Sequence, residues 1–291
     1  MAKLSNVTIK FHDKIFLNNF TFDFGEGFCA VFGESGSGKT VISYVFAGLV
    51  TIERGEVYLG GNEVGNIAPK HRKVSLISAQ TIFKNGSVRN NVLFPLKLRK
   101  TKKIDTIDTN LPSDLLDKNI DELTSVEKAR VYFARAMIKS PSLVIVDEAS
   151  EILDYEGVQE LMHLTSESGI NVLWLTSDFE QIKSFDGDIA IIRRGNVWAS
   201  GGACKLKSNP PDSYVASLYG YNILQGRAVP TTAFFKGKKE IIVRVNFVDK
   251  VDDGYMLHCH YDGLPIKIFS KREFSGEFAV TYDESMTTEI C

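Results

Sequence analysis

The segment GESGSGKT, residues 33–40, restricts the fold more than any other stretch of this chain. It follows the apolar run FCAVF and precedes VISYVFAGL, which predicts a buried strand, a tight turn and a helix from Lys39 onward. The glycines allow the backbone to direct several N–H groups toward an anion, which the helix dipole also favours. The spacing Gly-x-x-x-x-Gly-Lys-Thr is the complete phosphate-loop pattern, so the segment predicts nucleotide binding. A purely structural Gly/Ser-rich turn is the alternative.

Each position of this loop is a candidate nucleotide contact. We expect Lys39 to reach the β- and γ-phosphates of ATP and the Thr40 hydroxyl to bind Mg²⁺. The complete set of loop candidates is Gly33, Glu34, Ser35, Gly36, Ser37, Gly38, Lys39 and Thr40.

A second motif, SLVIVDEAS (142–150), is an apolar strand that ends in two acids. Asp147 is predicted to hold Mg²⁺ and Glu148 to orient the attacking water, because both tasks need a rigid strand end. Acids after a strand also serve as helix caps. The phosphate loop elsewhere in the chain favours the catalytic interpretation.

Charge and hydropathy exclude some classes of protein. The 34 Lys and Arg residues against 36 Asp and Glu residues give a net charge of −2, which argues against a protein that holds nucleic acid by its overall positive charge. The N-terminus has no signal pattern, and no apolar run approaches the roughly 18 residues needed to span a bilayer. We therefore expect a cytoplasmic protein that reaches a membrane, if at all, by docking onto other subunits.

The extra glycine in GESGSGKT resembles the phosphate loop of ABC-type ATPases, and further landmarks fit that family. Gln80, after the apolar VSLIS, matches the Q-loop glutamine that contacts the metal and the γ-phosphate; a surface glutamine is the alternative. Asp154 matches the D-loop aspartate. Phe11 stands where the family stacks an aromatic side chain on adenine, although it could equally be a core residue.

The segment DELTSVEKARVYFARAMIKSPSLVIVDE resembles the signature helix of the same family. Its residues 123–127, LTSVE, occupy the positions of LSGGQ. The resemblance implies that Thr124 and Ser125 contact the nucleotide of a partner subunit. Ser125 and Val126 replace glycines and add bulk, and Glu127 adds negative charge, so we expect weaker closure of the dimer.

A second departure lies in VLWLTSDFEQI (172–182). The family carries a histidine that contacts the γ-phosphate, and this chain carries Ser177 at that place. A serine donates a single hydrogen bond and has no imidazolium charge. Loss of one positioned donor typically costs about 10²- to 10³-fold in rate. The catalytic candidates are therefore Glu148, Lys39, Gln80 and Ser177, and the metal candidates are Thr40, Gln80 and Asp147.

The resemblance implies an α/β fold of the P-loop NTPase, ABC type. It would have a central sheet, an antiparallel β subdomain and a helical subdomain at about residues 81–140. We expect this ATP-binding domain over 1–205, a linker over 206–222, and a small C-terminal β-barrel of TOBE type over 223–291. The barrel prediction rests on alternating strands such as EIIVRVNFV and on the hairpin GYMLHCHY-DG-LPIKIF.

Two further segments have ordinary and functional interpretations. KLRKTKK (97–103) carries five basic residues and is either a solvated loop or a contact for anionic lipid. In HCH, His258 and His260 share one strand face while Cys259 points away, which favours ordinary strand positions over a metal site.

The family resemblance implies the ATP-binding subunit of an ABC importer, using ATP and Mg²⁺ and located at the inner face of the cell membrane. Its partners would be a second ATP-binding subunit in a homodimer or heterodimer, transmembrane permease subunits and, indirectly, an external solute-binding protein, with no nucleic acid. The solute could be an oxyanion, a metal, a sugar or a polyamine. One alternative is an ATP-binding regulator with little turnover. A soluble ABC protein of DNA repair or translation is another, but the coiled-coil insertion or duplication of that class is missing.

Overall fold

The computed structural model describes residues 2–11, 14–98, 111–224 and 226–290, without the side chains of residues 11, 14, 98, 235–240 and 278. The chain divides into two compact units, Met1–Ser200 and Gly201–Cys291. This division falls a few residues before the end of the predicted ATP-binding domain at 205. The domain limits 1–205, 206–222 and 223–291 stay a prediction.

The described residues of the first unit form two sheets and five α-helices. Its strands are β1 (Ala2–Phe11), β2 (Lys14–Phe24), β3 (Phe28–Phe32), β4 (Arg54–Leu59), β5 (Asn62–Glu63), β6 (Val74–Ile77), β7 (Leu143–Asp147), β8 (Asn171–Thr176), β9 (Asp188–Arg193) and β10 (Asn196–Gly202), which runs into the second unit. Its helices are α1 (Lys39–Ala47), α2 (Val88–Leu98), α3 (Ser113–Asp117), α4 (Ser125–Met137) and α5 (Tyr155–Glu167).

The six-stranded central sheet has the order β10-β9-β3-β8-β7-β6. Strands β9, β3, β8, β7 and β6 pair in parallel. All five residues of β7 are buried, as a strand covered on both faces requires, which explains why its sequence is a continuous apolar run. Because the strands are parallel, the chain leaves β3, β7 and β8 at the same edge of the sheet.

The second sheet of this unit is antiparallel, with the order β2-β1-β4-β5. Helix α1 packs between the two sheets: Ile42, Val45 and Phe46 belong to one core cluster with residues of both. At the C-terminal end of α1, the buried Arg72 guanidinium donates to the carbonyls of Val45 at 2.6 Å and Phe46 at 3.0 Å. These contacts hold the helix that follows the phosphate loop in a fixed position.

Helices α2, α3 and α4 build a smaller core of their own, which includes Val88, Val92, Leu115 and Val131. These helices lie within the range, about 81–140, for which a helical subdomain is predicted. Most of the basic segment 97–103 lies outside the described residues, so its two interpretations stay open.

In the second unit, the part of the chain that the structure describes forms two short α-helices and two sheets. Its helices are α6 (Ala203–Ser208) and α7 (Ser213–Leu218), and its strands are β11 (Asn222–Leu224), β12 (Arg227–Val229), β13 (Phe234–Val251), β14 (Gly254–Tyr261), β15 (Leu264–Ser270), β16 (Glu277–Tyr282) and β17 (Thr288–Glu289). The stretch expected to be a linker, 206–222, therefore includes α7 and the end of α6.

The predicted hairpin is confirmed: β14 and β15 pair antiparallel around Asp262 and Gly263, which have positive φ angles of 49° and 76°. A closed barrel is not found in the part of the chain that the structure describes. The strands form an open sheet β15-β14-β13-β16 and a separate sheet β11-β12-β17. Alternating residues predict strands, but closure depends on pairing between distant strands, which alternation does not encode.

Among the helices of the described residues, none has the length and apolar character that crossing a membrane requires.

Candidate functional site

The loop between β3 and α1 has the backbone of an anion cradle. Gly36 and Gly38 have φ angles of +80° and +106°, in the region that favours glycine. At Gly33, a β-carbon would lie 2.4 Å from Ser37 Oγ and 2.8 Å from the Ile192 carbonyl oxygen. The Ser37 hydroxyl is buried and has no hydrogen-bond partner among the described residues. The loop thus has the glycines where close packing and turning demand them.

Lys39 occupies the centre of this loop, with only 4% of its side chain exposed. Its Nζ donates to the carbonyls of Gly33 and of Glu34, the latter at 3.2 Å, and lies 3.1 Å from Glu148 Oε1. Glu34, Ser35 and Gly36 are exposed on the outer side of the loop. A buried ammonium is costly unless it is paired, so these acceptors account for its position.

Asp147 ends β7 and faces the first turns of α1. Its Oδ1 accepts from Thr40 Oγ1 at 3.5 Å and its Oδ2 from Ser43 Oγ at 2.9 Å. Burial raises the pKa of the Asp147 carboxyl above its usual value, and the bonds from Ser43 and Thr40 oppose that shift. A carboxylate and a hydroxyl oxygen side by side are hard donors of the kind that Mg²⁺ prefers, so these residues fit the ion that the sequence predicts.

Glu148 follows Asp147 in a left-handed backbone conformation, with φ 52° and ψ 61°. Its Oε2 accepts from the Ser177 backbone N–H at 2.9 Å and from Ser177 Oγ at 3.0 Å. Side-chain contacts thus join Lys39, Glu148 and Ser177, and separately Thr40 and Asp147, at neighbouring positions of one site. All five residues are predicted from the sequence.

Gln80 lies just beyond β6 and is exposed. Its Oε1 accepts a hydrogen bond from the hydroxyl of Tyr44 on α1. Gln80 is therefore tied to the helix that follows the phosphate loop, and within the described residues it makes no hydrogen bond to Asp147 or Glu148.

The signature residues form a separate group at the start of α4. Thr124 caps the helix in a reciprocal capping box: its Oγ1 accepts from the Glu127 N–H at 3.2 Å, and Glu127 Oε2 accepts from the Thr124 N–H at 3.0 Å. Ser125 Oγ accepts from the Asp154 N–H at 3.0 Å, while Asp154 caps α5 through a bond from Gly157 N–H at 3.0 Å.

The negative charge expected from Glu127 is offset within the chain. Lys118 Nζ lies 2.6 Å from Glu127 Oε1. The bond from Lys118, followed by the Thr124 backbone N–H, holds the pKa of Glu127 below its usual value. The same bond raises the pKa of Lys118. The sequence predicts the negative charge of Glu127 but does not indicate that Lys118 neutralises it, because the two residues meet only through the fold of the preceding loop.

Phe11 and the HCH segment are the remaining sequence-based candidates. Phe11 ends β1, and its side chain lies outside the described part of the chain. In the second unit, His258 Nε2 lies 2.8 Å from Asp249 Oδ2 and its ring stacks on Phe247 at 4.0 Å, while His260 contacts Asn246 and Cys259 is buried.

Sequence reasoning missed Ser43 and Tyr44. Ser43 lies three residues after Thr40 and so shares its helix face, and Tyr44 lies next to it. Helical spacing from Thr40 could have indicated Ser43. Nothing in the sequence indicated that Tyr44 meets Gln80, which belongs to another element.

Comparisons with known proteins find similarity to ATP-binding proteins of ABC transporters. A family model described as "ABC transporter" matches residues 17–151. The chain is 27% identical to the molybdate/tungstate import ATP-binding protein WtpC of Methanocaldococcus jannaschii, over 94% of this chain and 95% of that relative.

The structure resembles that of a nucleotide-free ATP-binding cassette from an ABC transporter, with 18% identity, a TM-score of 0.65, and coverage of 75% of this chain and 98% of the other. It also resembles the dimeric cassette MJ0796 bound to ADP and Pi, with 23% identity, a TM-score of 0.56, and coverage of 70% and 99%. The structural likenesses establish a mixed α/β cassette fold.

Proposed function

We propose that the chain, whose residues 17–151 match the ABC transporter family model, is an ATP hydrolase of the transporter class that powers an importer. In the proposed complex it works at the cytoplasmic face of the membrane with permease subunits and a second ATP-binding subunit. The observation that carries the proposal is that the buried Lys39 of the phosphate loop pairs with Glu148, next to the buried Asp147 at the end of β7.

Nucleotide binding would exchange the partners of Lys39. The ammonium leaves the carbonyls of Gly33 and Glu34 for the β- and γ-phosphates, while loop N–H groups donate to phosphate oxygens. The exchange is favourable because a triphosphate offers more negative charge than two carbonyls and one carboxylate. Phe11 would stack on adenine.

Thr40 and Asp147 would hold Mg²⁺, with Gln80 at its edge once released from Tyr44. The bound ion would neutralise charge on the phosphate oxygens. Asp147 is suited to the task because a turn of α1 holds each of its oxygens in place.

Glu148 would orient the attacking water. The water oxygen bonds to the γ-phosphorus while the bond to the bridging oxygen breaks, giving ADP and phosphate, and Glu148 is the nearby carboxylate that can accept the water proton. The sequence-based role of Ser177 at this step is a single hydrogen bond to the γ-phosphate.

Thr124, Ser125 and Asp154 would face the nucleotide of the second ATP-binding subunit. Since Lys118 offsets the charge of Glu127, the obstacle to closure is the bulk of Ser125 and Val126. We therefore propose slow hydrolysis in a homodimer, and faster hydrolysis where a partner supplies an intact signature.

A groove of about 920 Å³ runs beside β6 and between α2 and α4, lined by residues that include Gln80, Thr81, Phe94, Tyr132 and Arg135. We propose that a permease subunit docks here, because Gln80 would then connect the membrane subunit with the nucleotide. An external solute-binding protein would act indirectly, and no nucleic acid takes part.

The proposed solute is an oxyanion. The support is the name of the molybdate/tungstate importer relative, whose length the chain matches almost completely. Metal, sugar and polyamine remain the other solute classes. We further propose that the second unit, Gly201–Cys291, corresponds to a TOBE-like accessory domain.

A second candidate function is a regulator that binds ATP but hardly hydrolyses it. The specific observations that favour it are the LTSVE signature and Ser177 in place of a histidine. ATP turnover of the purified protein, alone and with co-purifying membrane subunits, distinguishes the two. Turnover at background in both settings favours the regulator.

The binding step is tested with Lys39→Ala. Because Lys39 is the one buried cation of the loop, we expect the affinity for Mg-ATP in calorimetry to fall by at least about 10-fold, the loss of one charge-assisted contact. Lys3→Ala is the matched control, since it removes an exposed ion pair with Asp23 on the antiparallel sheet. Equal affinity of Lys39→Ala and the unaltered protein would refute the proposal.

A further inference from the structure

The two oxygens of the Glu148 carboxylate have partners of different kinds. Oε1 is paired with Lys39 Nζ at 3.1 Å. Oε2 accepts from both the backbone N–H and the hydroxyl of Ser177, at 2.9 and 3.0 Å. Oε1 thus pairs with the ammonium that a nucleotide would attract, and Oε2 accepts from two donors of a single neighbouring residue.

The sheet explains why Ser177 meets Glu148. Asp147 is the register partner of Leu175 in the parallel strands β7 and β8. Glu148 then donates its backbone N–H to the Leu175 carbonyl at 3.0 Å and turns into the left-handed region, while Ser177 follows the end of β8. Both residues therefore leave the same edge of the sheet side by side, and a side chain as short as serine suffices to close the contact.

The Ser177 hydroxyl carries one proton. In the structure that proton is directed at Glu148 Oε2, so the same hydroxyl cannot donate to a phosphate oxygen at the same time. This differs from the role that the family resemblance implies for this position.

From these contacts we infer that Ser177 is a positioning residue that anchors Glu148 Oε2, while the Lys39–Glu148 pair closes off Oε1 until a nucleotide draws Lys39 away. The inference rests on the proposed function of Lys39 and Glu148. When Lys39 moves to the phosphates, only Oε1 becomes free, and it faces the water while Oε2 stays bound. The serine thus serves hydrolysis through the carboxylate and makes no contribution to ATP affinity.

The test compares Ser177→Ala with Ser177→Thr. The alanine variant removes the hydroxyl and keeps the backbone N–H, so we expect kcat to fall about 10-fold, as the loss of one hydrogen bond to a charged group implies. Threonine keeps the hydroxyl and should recover most of that loss. Ser166→Ala is the matched control, because it removes an exposed hydroxyl that donates to the His163 carbonyl on α5. Thermal midpoints of all variants should agree, which separates positioning from stability.

A second test asks whether Ser177 anchors Glu148 or donates a hydrogen bond to the γ-phosphate. Calorimetry measures the affinities for ATP and ADP in a Glu148→Gln background, where hydrolysis is suppressed. We expect Ser177→Ala to leave both affinities unchanged. Weaker ATP binding with unchanged ADP binding would overturn the inference, since it would mean that Ser177 contacts the γ-phosphate. So would an unchanged kcat in Ser177→Ala. Failure of the proposed function has a different signature: Glu148→Gln alone would hydrolyse ATP as fast as the unaltered protein.

Discussion

At the scale of single residues, Asp147 depends on two hydroxyls from one helix. Thr40 and Ser43 lie one turn apart on α1 and bind different oxygens of the carboxylate. Ser43 is fully buried, so water cannot replace its hydrogen bond. Ser43 belongs to no sequence motif, yet it donates to the Asp147 oxygen that Thr40 does not contact.

Ser43→Ala is therefore expected to cost about 1–3 kcal/mol of unfolding free energy, since a buried carboxylate loses a donor. It should also raise the Mg²⁺ concentration needed for half-maximal ATP binding. Urea denaturation and a Mg²⁺ titration of ATP binding measure the two effects.

Ser75→Ala is the control for this change. Ser75 is also buried, but its hydroxyl donates to the neutral Ala136 carbonyl at 2.7 Å, far from Asp147 in sequence. If Ser43→Ala and Ser75→Ala shift the Mg²⁺ titration equally, the role assigned to Ser43 is wrong.

At the scale of elements, the start of α4 is stabilised by its own sequence. Thr124 and Glu127 satisfy each other's backbone N–H groups, and Lys118 from the preceding loop neutralises the carboxylate. The signature segment can therefore form a helix end without glycines, at the cost of side-chain bulk. The helix terminus is well formed even where the expected clamp is altered.

The contribution of Glu127 to the free energy of unfolding depends on pH. Because the folded-state pKa of Glu127 is lowered, its stabilising contribution is complete above the unfolded pKa of about 4.3 and is lost as the pH falls through the lower folded value. Glu127→Gln keeps a capping partner but loses the charge, so it should cost less than about 1 kcal/mol at neutral pH, as expected of a partly exposed ion pair.

Urea denaturation at several pH values measures this difference. The stabilities of the two proteins should converge in acid, and Glu167→Gln at the exposed end of α5 is the control for the loss of a surface carboxylate. A constant gap between the unaltered protein and Glu127→Gln at every pH would contradict the assignment.

At the scale of the whole molecule, the proposed dimer brings the α4 terminus of one subunit to the phosphate loop of the other. Ser125 is engaged by the Asp154 N–H, so replacing it would disturb α5 as well. Val126 is half-buried and is the cleaner position at which to remove bulk.

Val126→Gly should increase ATP turnover and ATP-dependent dimer formation, because the missing side chain lets the backbone approach a phosphate. Its helix position should cost up to about 1 kcal/mol of stability. Turnover assays and gel filtration with ATP in a Glu148→Gln background test the expectation, with Val126→Ala as an intermediate. If Val126→Gly dimerises more weakly than the unaltered protein, the bulk of Val126 is not what opposes closure of the dimer.

The sequence by itself determined the strand–loop–helix around residues 33–40, the buried strand that ends in Asp147 and Glu148, and the hairpin at Asp262-Gly263. Each is encoded locally, by glycines where the backbone must turn and by an apolar run where a strand is covered on both faces. The approach of Ser177 to Glu148, of Ser43 to Asp147 and of Lys118 to Glu127 was decided only by the tertiary structure. The open sheets in place of a barrel were decided there too. Those contacts depend on strand order and register between distant segments, which local pattern does not specify.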